Sequence, residues 1–518
     1  MSREHWLLAI SLANLVFLRS WSDLLRLSAG HEAATPAARA LLWATLACIV
    51  LLAAGLLLGR RLAGERHTTA ARIALLLMMV TPIDFLAGQL WQMVKETVPR
   101  TPFLAAWTAL LLLPILAAVG LGLYRRAGPY RAFRAVALIL SPLPAILAGN
   151  LLWASYAVAP PPAPTLAGPV SNPGQHRVVW LVFDEFDYHL AFPARPASIR
   201  MPELDRLRGE GFFAHRASAP AWDTPESMTS YLLGRPVEKL DLTPGRIRAS
   251  LTTGETVALA TEPTVLSQAR ALGFDTFLAG WYLPYCQIFG GHATGCAQMS
   301  PGVVRTASFG ATFLQQWRQI AEEHWLVTRL TPGGRLRAPW FGWGERVDQY
   351  LAYQKLRDQG MAMATGPTGR LVLIHFPIPH PLGIYSRKTG DLSLDTSTNS
   401  IDNLELVDRT VGHFRRALEE AGHWDRTTLI ITSDHPMRPD IWSANETWTE
   451  EEQSLTRNQR RDEIPLLIKP AAAGAPVESH EPVSTIALPA LTAEVLAGRI
   501  TTAVQTAEFL AHPAQTRR

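Results

Sequence analysis

Long apolar runs dominate the first third of the chain, and short apolar runs broken by acids and turn residues dominate the rest. Four runs approach or exceed the roughly 20 apolar residues that a spanning helix needs: Leu41–Leu58, Ile73–Val94, Phe103–Tyr124 and Ala135–Ala157. A fifth, Trp6 to about Leu27, is interrupted by Asn14, Arg19, Ser20 and Asp23. It reads as a first span, with an interfacial amphipathic helix as the alternative. Asp84 falls inside the third span, where a charge marks either a polar interior or an interfacial position.

Beyond the last run lies Ala159–Gln175, a proline-rich stretch that suits an extended spacer. Past His176 the pattern changes. His176–Phe183 is a short β-branched and aromatic run ending abruptly in Asp184-Glu185. Similar runs occur at Arg370–Phe376, Thr428–Thr432 and Ile464–Ile468, and short continuous runs of this kind suit buried parallel strands. Helical patterns fall between them, at Pro202–Gly209 and Asp402–Ala421. The predicted fold is therefore an N-terminal α-helical transmembrane bundle of about five spans (1–158), a linker (159–175) and an α/β domain (176–518) with a central, mostly parallel sheet.

Charge decides the orientation. Arg60, Arg61, Arg66 and Arg72 lie between spans two and three, and Arg125, Arg126, Arg131 and Arg134 between spans four and five. The opposite loops carry only Arg26, Arg39, Lys95 and Arg100. The positive-inside rule then places the N-terminus in the cytoplasm and, with five spans, the α/β domain outside. Four spans would move the N-terminus outside instead. The net charge of +4 needs no nucleic-acid partner, because topology accounts for the arginines and no basic, aromatic-interleaved patch occurs. Cys48 sits in an apolar run as a small hydrophobe. In an exported domain, Cys286 and Cys296 are expected to form a local disulfide.

The chemistry gathers at strand ends, where ligand sites of such sheets lie. Asp184-Glu185 and Asp434-His435 each follow a strand; a third strand contains His375, with His380 close behind it. A single acid there is often a cap or turn residue. Two acidic clusters, one with an adjacent histidine, fit a divalent metal, with zinc or manganese favoured over calcium or magnesium. In Ala219–Arg235, Thr224 reads as the N-cap and Pro225 as the first residue of a helix. A hydroxyl at a helix N-terminus beside a metal could also act as a nucleophile.

These pieces, in this order, resemble the alkaline phosphatase superfamily in its sulfatase-like branch over roughly His176–Gly498. They are the strand ending in Asp184-Glu185, the run from Thr224-Pro225 to Gly234-Arg235, and Thr432–His435. The resemblance puts Thr224 in the nucleophile position and Ser227 in the position of the motif serine. It implies one metal held by Asp184, Thr224, Asp434 and His435, with Glu185 matching a further acid of the set. It also implies substrate-facing roles for His375 and His380, the latter steadying phosphoryl oxygens or protonating a leaving group. Threonine is no substrate for conversion to formylglycine, and Glu226 and Met228 replace the proline and arginine of that modification motif. Sulfate-ester hydrolysis is therefore disfavoured. The likeness extends to membrane-anchored phosphoethanolamine and phosphoglycerol transferases, implying a lipid donor, an envelope glycan or lipid acceptor, and residence in a bacterial-type inner membrane with a periplasmic catalytic domain.

The alternatives are a phosphodiesterase or phosphatase, which in its two-metal form would recruit Asp402 or Asp408 with His380 and His480, and a non-catalytic envelope scaffold. The Trp- and Arg-rich segment 315–363 reads as an insertion.

Overall fold

A computed structural model describes residues 3–18, 36–63, 166–170, 176–242, 247–299, 343–443, 448–457 and 463–512, with isolated positions at 20–24, 146–156 and 309–317. The chain forms two compact units, Met1–Pro161 with Arg305–Phe341, and Pro162–Val304 with Gly342–Arg518.

In the first unit, helix Arg3–Val16 packs on helix Pro36–Ala63 through Ala9, Ala13, Val16, Leu41, Leu42 and Ile49. Among the described residues one helix, Ala38–Gly59, is long and apolar enough to cross a membrane. It contains the second expected span. The expected spans at 73–94 and 103–124 lie outside the described residues, as does most of 135–157. Val50, Leu51 and Leu58 are exposed on the long helix, an arrangement water disfavours and lipid does not. Phe313 and Trp317 pack against the same cluster, and Gln316 Nε2 donates to Thr45 Oγ1 at 2.8 Å.

Among the described residues the second unit holds thirteen strands: β1 (Arg177–Asp184), β2 (Phe212–Ser218), β3 (Val237–Asp241), β4 (Arg248–Leu251), β5 (Thr256–Ala258), β6 (Asp275–Trp281), β7 (Gly295–Met299), β8 (Arg370–Pro379), β9 (Tyr385–Ser386), β10 (Asp391–Leu392), β11 (Thr427–Ser433), β12 (Ile464–Lys469) and β13 (Val477–Ser484). Eight form one sheet in the order β13-β2-β12-β11-β1-β8-β6-β7. β1 is parallel to both β11 and β8, and β8 to β6. Every residue of β1 is buried, and they alternate between two cores: Val178, Trp180 and Val182 on one face, Val179, Leu181 and Phe183 on the other. Both faces being covered, the strand reads as a continuous apolar run rather than an alternating one.

Two sequence expectations are corrected here. Ile464–Ile468 is a strand but runs antiparallel, pairing with both β11 and β2. Its apolar run reports burial on two faces, which is blind to direction. The expected insertion 315–363 is also divided. Its last part is helix Trp343–Thr365, whose Ala352, Tyr353 and Leu356 are fully buried against the sheet. Polar residues on the outer face of that helix obscured the apolar stripe on its inner face.

The parallel arrangement brings the carboxyl ends of β1, β6, β8 and β11 to one edge. Register makes this concrete: Val182 pairs with both Thr432 and His375, and His375 pairs with Gly280.

Candidate active site

At that edge Asp184, Asp434 and His435, all buried, bring ligand atoms within 4.8 Å of one another. Thr224 joins them from a different element. Its helix runs Thr224–Leu233, with Asp223 at the cap position, so Thr224 is the first helical residue rather than the expected cap. The physical reason is competition for its hydroxyl. Thr224 Oγ1 donates to Asp434 Oδ2 at 2.6 Å and lies 3.2 Å from His435 Nε2, leaving no role in capping the backbone. Ser227 braces the preceding loop, exchanging bonds of 3.0 Å with Ala221 N and O. Gly234 ends the helix at φ 66°, where a side chain would be strained and would also crowd Pro489.

Two histidines show which of their nitrogens is free. His435 Nδ1 is 3.0 Å from the Pro436 carbonyl, which can only accept, so Nδ1 carries the proton and Nε2 presents a lone pair. His375 Nδ1 is 3.0 Å from the Trp281 carbonyl and 2.9 Å from Tyr285 Oη, leaving Nε2 bare as well. Gly280 lets the Tyr285 ring approach, since a Cβ there would stand 2.2 Å from it. His375 Nε2 faces Asp434 Oδ2 at 3.6 Å, and His435 Nε2 faces Asp184 Oδ1 at 3.8 Å. His375 Nε2 and Asp184 Oδ1 are buried and have no hydrogen-bond partner among the described residues. Orphaned lone pairs beside carboxylates are costly unless a cation satisfies them. The mixed oxygen and imidazole donors therefore fit a divalent metal, whose identity they leave open.

Burial first, and the neighbouring Asp434 carboxylate second, raise the Asp184 carboxyl above the ordinary range. Burial acts on Asp434 in the same sense, but His435, His375 and the Thr224 hydroxyl together outweigh it and hold Asp434 low. Trp281 Nε1 donates to Asp184 Oδ2 at 3.1 Å, while Oδ1 is the oxygen without a hydrogen-bond partner among the described residues.

Glu185 stands apart from the cluster. It is fully buried at φ 60°, and its carboxylate accepts from Arg438 Nε at 2.8 Å and from Trp442 Nε1 at 2.7 Å and 3.0 Å. His380 follows β8; its backbone N–H donates to Asp184 O at 3.0 Å, and its ring meets that of Trp442 edge-on at 4.8 Å. Its Nδ1 is bonded to the Pro381 carbonyl, and burial pushes its pKa below the ordinary value. Gln349 pins this loop, donating to Pro377 O at 2.6 Å and His380 O at 2.8 Å, and Asn403 Nδ2 donates to Leu382 O at 3.0 Å. Cys286 and Cys296 are joined in a disulfide.

The acids of the alternative two-metal set are dispersed. Asp402 pairs with Arg387, Asp408 accepts from Leu204 N, and His480 stacks on His215 at 4.1 Å. Sequence reasoning missed Trp281, Tyr285, Gln349, Arg438 and Trp442. Only Arg438, three residues after His435, lay close enough to a recognised motif to be suspected.

The model of the family described as type I phosphodiesterase / nucleotide pyrophosphatase matches residues 252–476, a span that includes His375, His380, Asp434 and His435. No curated protein matches the chain. Similar solved structures include an alkaline phosphatase superfamily protein from Vibrio parahaemolyticus, 16% identical over 63% of this chain and 68% of that one, with a TM-score of 0.38. The PsFucS1 sulfatase from a Pseudoalteromonas species is 15% identical over 62% and 68%, at 0.41. The lipoteichoic acid synthase LtaP from Listeria monocytogenes is 11% identical over 64% and 74%, at 0.37.

Proposed function

We propose that the C-terminal domain is an enzyme of the alkaline phosphatase superfamily and that it carries out metal-dependent phosphoryl-group transfer with Thr224 as nucleophile. The donor is a membrane lipid with a phospho-headgroup, and the acceptor is an envelope glycan or lipid. The observation that carries this reading is the Thr224 hydroxyl, buried at a helix N-terminus and held at 2.6 Å by Asp434 and 3.2 Å by His435.

A divalent cation held by Asp184, Asp434 and His435, with the Thr224 oxygen, would lower the hydroxyl pKa and neutralise charge on the phosphoryl oxygens. Asp434 Oδ2 orients the hydroxyl by accepting its hydrogen bond. Thr224 Oγ1 then attacks phosphorus, the bond from phosphorus to the diacylglycerol oxygen breaks, and the headgroup phosphate remains on Thr224. An acceptor hydroxyl attacks that phosphorus in turn and frees Thr224. The proton that leaves Thr224 Oγ1 is the one the diacylglycerol oxygen takes up, and His380 would relay it: its proton-bearing Nδ1 is fixed on Pro381, so Nε2 is the atom that accepts that proton and passes it on. Because burial lowers its pKa, neutral His380 predominates at neutral pH, ready to act as base towards the acceptor.

The reading extends to topology. We take residues 1–158 as a five-span bundle in a bacterial-type inner membrane, 159–175 as a spacer, and 176–518 as the periplasmic catalytic domain. The apolar helix Ala38–Gly59 and the Cys286–Cys296 disulfide, which suits an oxidising compartment, support it. A membrane anchor also keeps the catalytic domain near a lipid donor.

Mass spectrometry of the purified full chain, incubated with bilayer lipid, tests the nucleophile. An adduct on Thr224 with the mass of a phospho-headgroup is expected, and an adduct on another residue would sink the assignment. The second reading is a phosphodiesterase in which water takes the group, favoured by the description of the matched family. Release of free phospho-headgroup in the presence of acceptor lipid, with no modified acceptor formed, would favour it.

A further inference from the structure

We propose that Arg438 is the anion-holding residue of this site, with Glu185 and Asp223 as the carboxylates that aim it. The proposal rests on the phosphoryl-transfer reading above and assigns the group that meets the phosphoryl oxygens of the donor.

The geometry argues from three neighbours in the chain. Glu185 directly follows Asp184, Asp223 directly precedes Thr224, and Arg438 lies three residues past His435. Arg438 Nε donates to Glu185 Oε1 at 2.8 Å, and Nη1 is paired with Asp223. The guanidinium is thereby tied to the residues adjoining one metal-binding acid and the nucleophile. A guanidinium has five N–H donors in a planar fork. Nε and Nη1 are committed to these carboxylates, which leaves Nη2 as the edge for a ligand, and the side chain is only 15% exposed.

Glu185 gains a role from the same contacts. Its carboxylate is occupied by Arg438 and Trp442, and its backbone sits at φ 60°, an uncommon conformation for a residue other than glycine. Such conformations persist where surrounding contacts over-determine them, often at functional sites. Trp442 closes the arrangement, donating to Glu185 while its ring edges against His380. One short helix, Pro439–Trp442, thus fixes the guanidinium and borders the proton-transfer group.

Electrostatics makes the cation necessary. Asp184 and Asp434 belong to the cluster that Thr224 joins, and Glu185 and Asp223 adjoin Asp184 and Thr224, so a phosphodiester anion that reaches Thr224 meets their field. A divalent ion offsets part of it. A fixed guanidinium offsets more, and offers directed donors to a tetrahedral oxyanion where a lysine offers a point charge.

The test uses the full chain in detergent, loaded with manganese, as wild type, Arg438→Ala, Arg438→Lys and Glu185→Gln. Bound manganese is counted, and inorganic phosphate binding is measured by titration calorimetry. All four proteins are expected to hold the same manganese. Phosphate affinity is expected to fall roughly 10- to 100-fold in Arg438→Ala, the scale of one charge-assisted hydrogen bond, and less in Arg438→Lys. Glu185→Gln should weaken phosphate several-fold by loosening the fork. Wild-type phosphate affinity in both Arg438 variants overturns the proposal, as does a wild type that binds no phosphate. Loss of manganese in Glu185→Gln would make Glu185 a ligand and overturn its aiming role. The two readings fail separately. A Thr224 adduct with unchanged phosphate affinity in Arg438→Ala sinks only this proposal. The selective loss of phosphate binding in Arg438→Ala, without any Thr224 adduct, sinks only the nucleophile.

Discussion

Helix Ser400–Glu420 and the carboxyl edge of the sheet both bury acids, yet they bury them in opposite ways. On the helix, Asp402 accepts from Arg387 Nε at 2.5 Å and from Asn399 N at 2.9 Å, completing a capping box. Asp408 accepts from Leu204 N at 2.8 Å and so holds the start of helix Pro202–Arg208. At the sheet edge, Asp184 Oδ1 and His375 Nε2 are buried with nothing to bond among the described residues. Burial and acidity alone therefore do not mark a site. What sets the sheet edge apart is that an unpaired carboxylate oxygen and an unpaired imidazole nitrogen lie in one cluster of acids and histidines, where a cation would satisfy both.

The comparison breaks most visibly at the proposed nucleophile. Thr224→Ala should abolish the adduct and lower transfer by roughly 10³- to 10⁶-fold, the scale seen when a covalent nucleophile is removed. Turnover within tenfold of wild type would show that water, not Thr224, attacks phosphorus.

Next in size is a paired substitution across the two regions. Asp434→Asn should lose its divalent metal, measured by elemental analysis, because a neutral amide replaces a charged ligand amid orphaned lone pairs. Asp402→Asn should keep the metal and instead cost about 1–3 kcal/mol of stability, since it weakens the pairing of Arg387. If both variants kept their metal, the distinction between satisfied and unsatisfied acids would lose its meaning here.

Gln349→Ala probes the support of the site rather than its chemistry. Two carbonyls of the His380 loop lose their donor, so transfer to the acceptor should slow by about tenfold. Metal content and the Thr224 adduct should persist; loss of the adduct would mean that Gln349 matters to the first step as well.

The smallest effect is on the pH dependence of stability. Burial raises the Asp408 carboxyl from its ordinary 3.8 to about 7, against the opposing backbone N–H groups of Leu204 and Glu203. The folded state thus binds this proton more tightly than the unfolded chain does. Its contribution is fully present below pH 3.8 and fades as the pH rises through about 7. Asp408→Asn keeps an oxygen for Leu204 N but cannot ionise, so it should flatten the slope and melt higher than wild type above pH 7. An unchanged melting profile between pH 5 and 8 would contradict the shift.

Much of the site was legible because its residues sit at strand ends. Asp184, His375, Asp434 and His435 each end or closely follow an apolar run, and Thr224 opens a glycine-capped helix at a telling spacing. The helices at 202–208 and 400–420 were legible from apolar period and caps. Other features carried no such signal. Trp281 and Tyr285 look like core aromatics, and only the pairing of β6 with β8 turns their polar atoms towards Asp184 and His375. Gln349 lay inside what read as an insertion, because the helix that carries it shows solvent a polar face.

What the amino-acid order determined by itself was the class of each segment: an apolar helix at 38–59, buried strands, and acids and histidines placed to follow them. These follow from local hydrophobicity and chain geometry, which act over a few residues. Only the tertiary structure decided what each acid does. Asp184 and Glu185 are consecutive and equally buried, yet one faces His435 and the other Arg438. Their partners come from residues some 250 positions away, and a choice made at that distance depends on strand order and register, which no local pattern records.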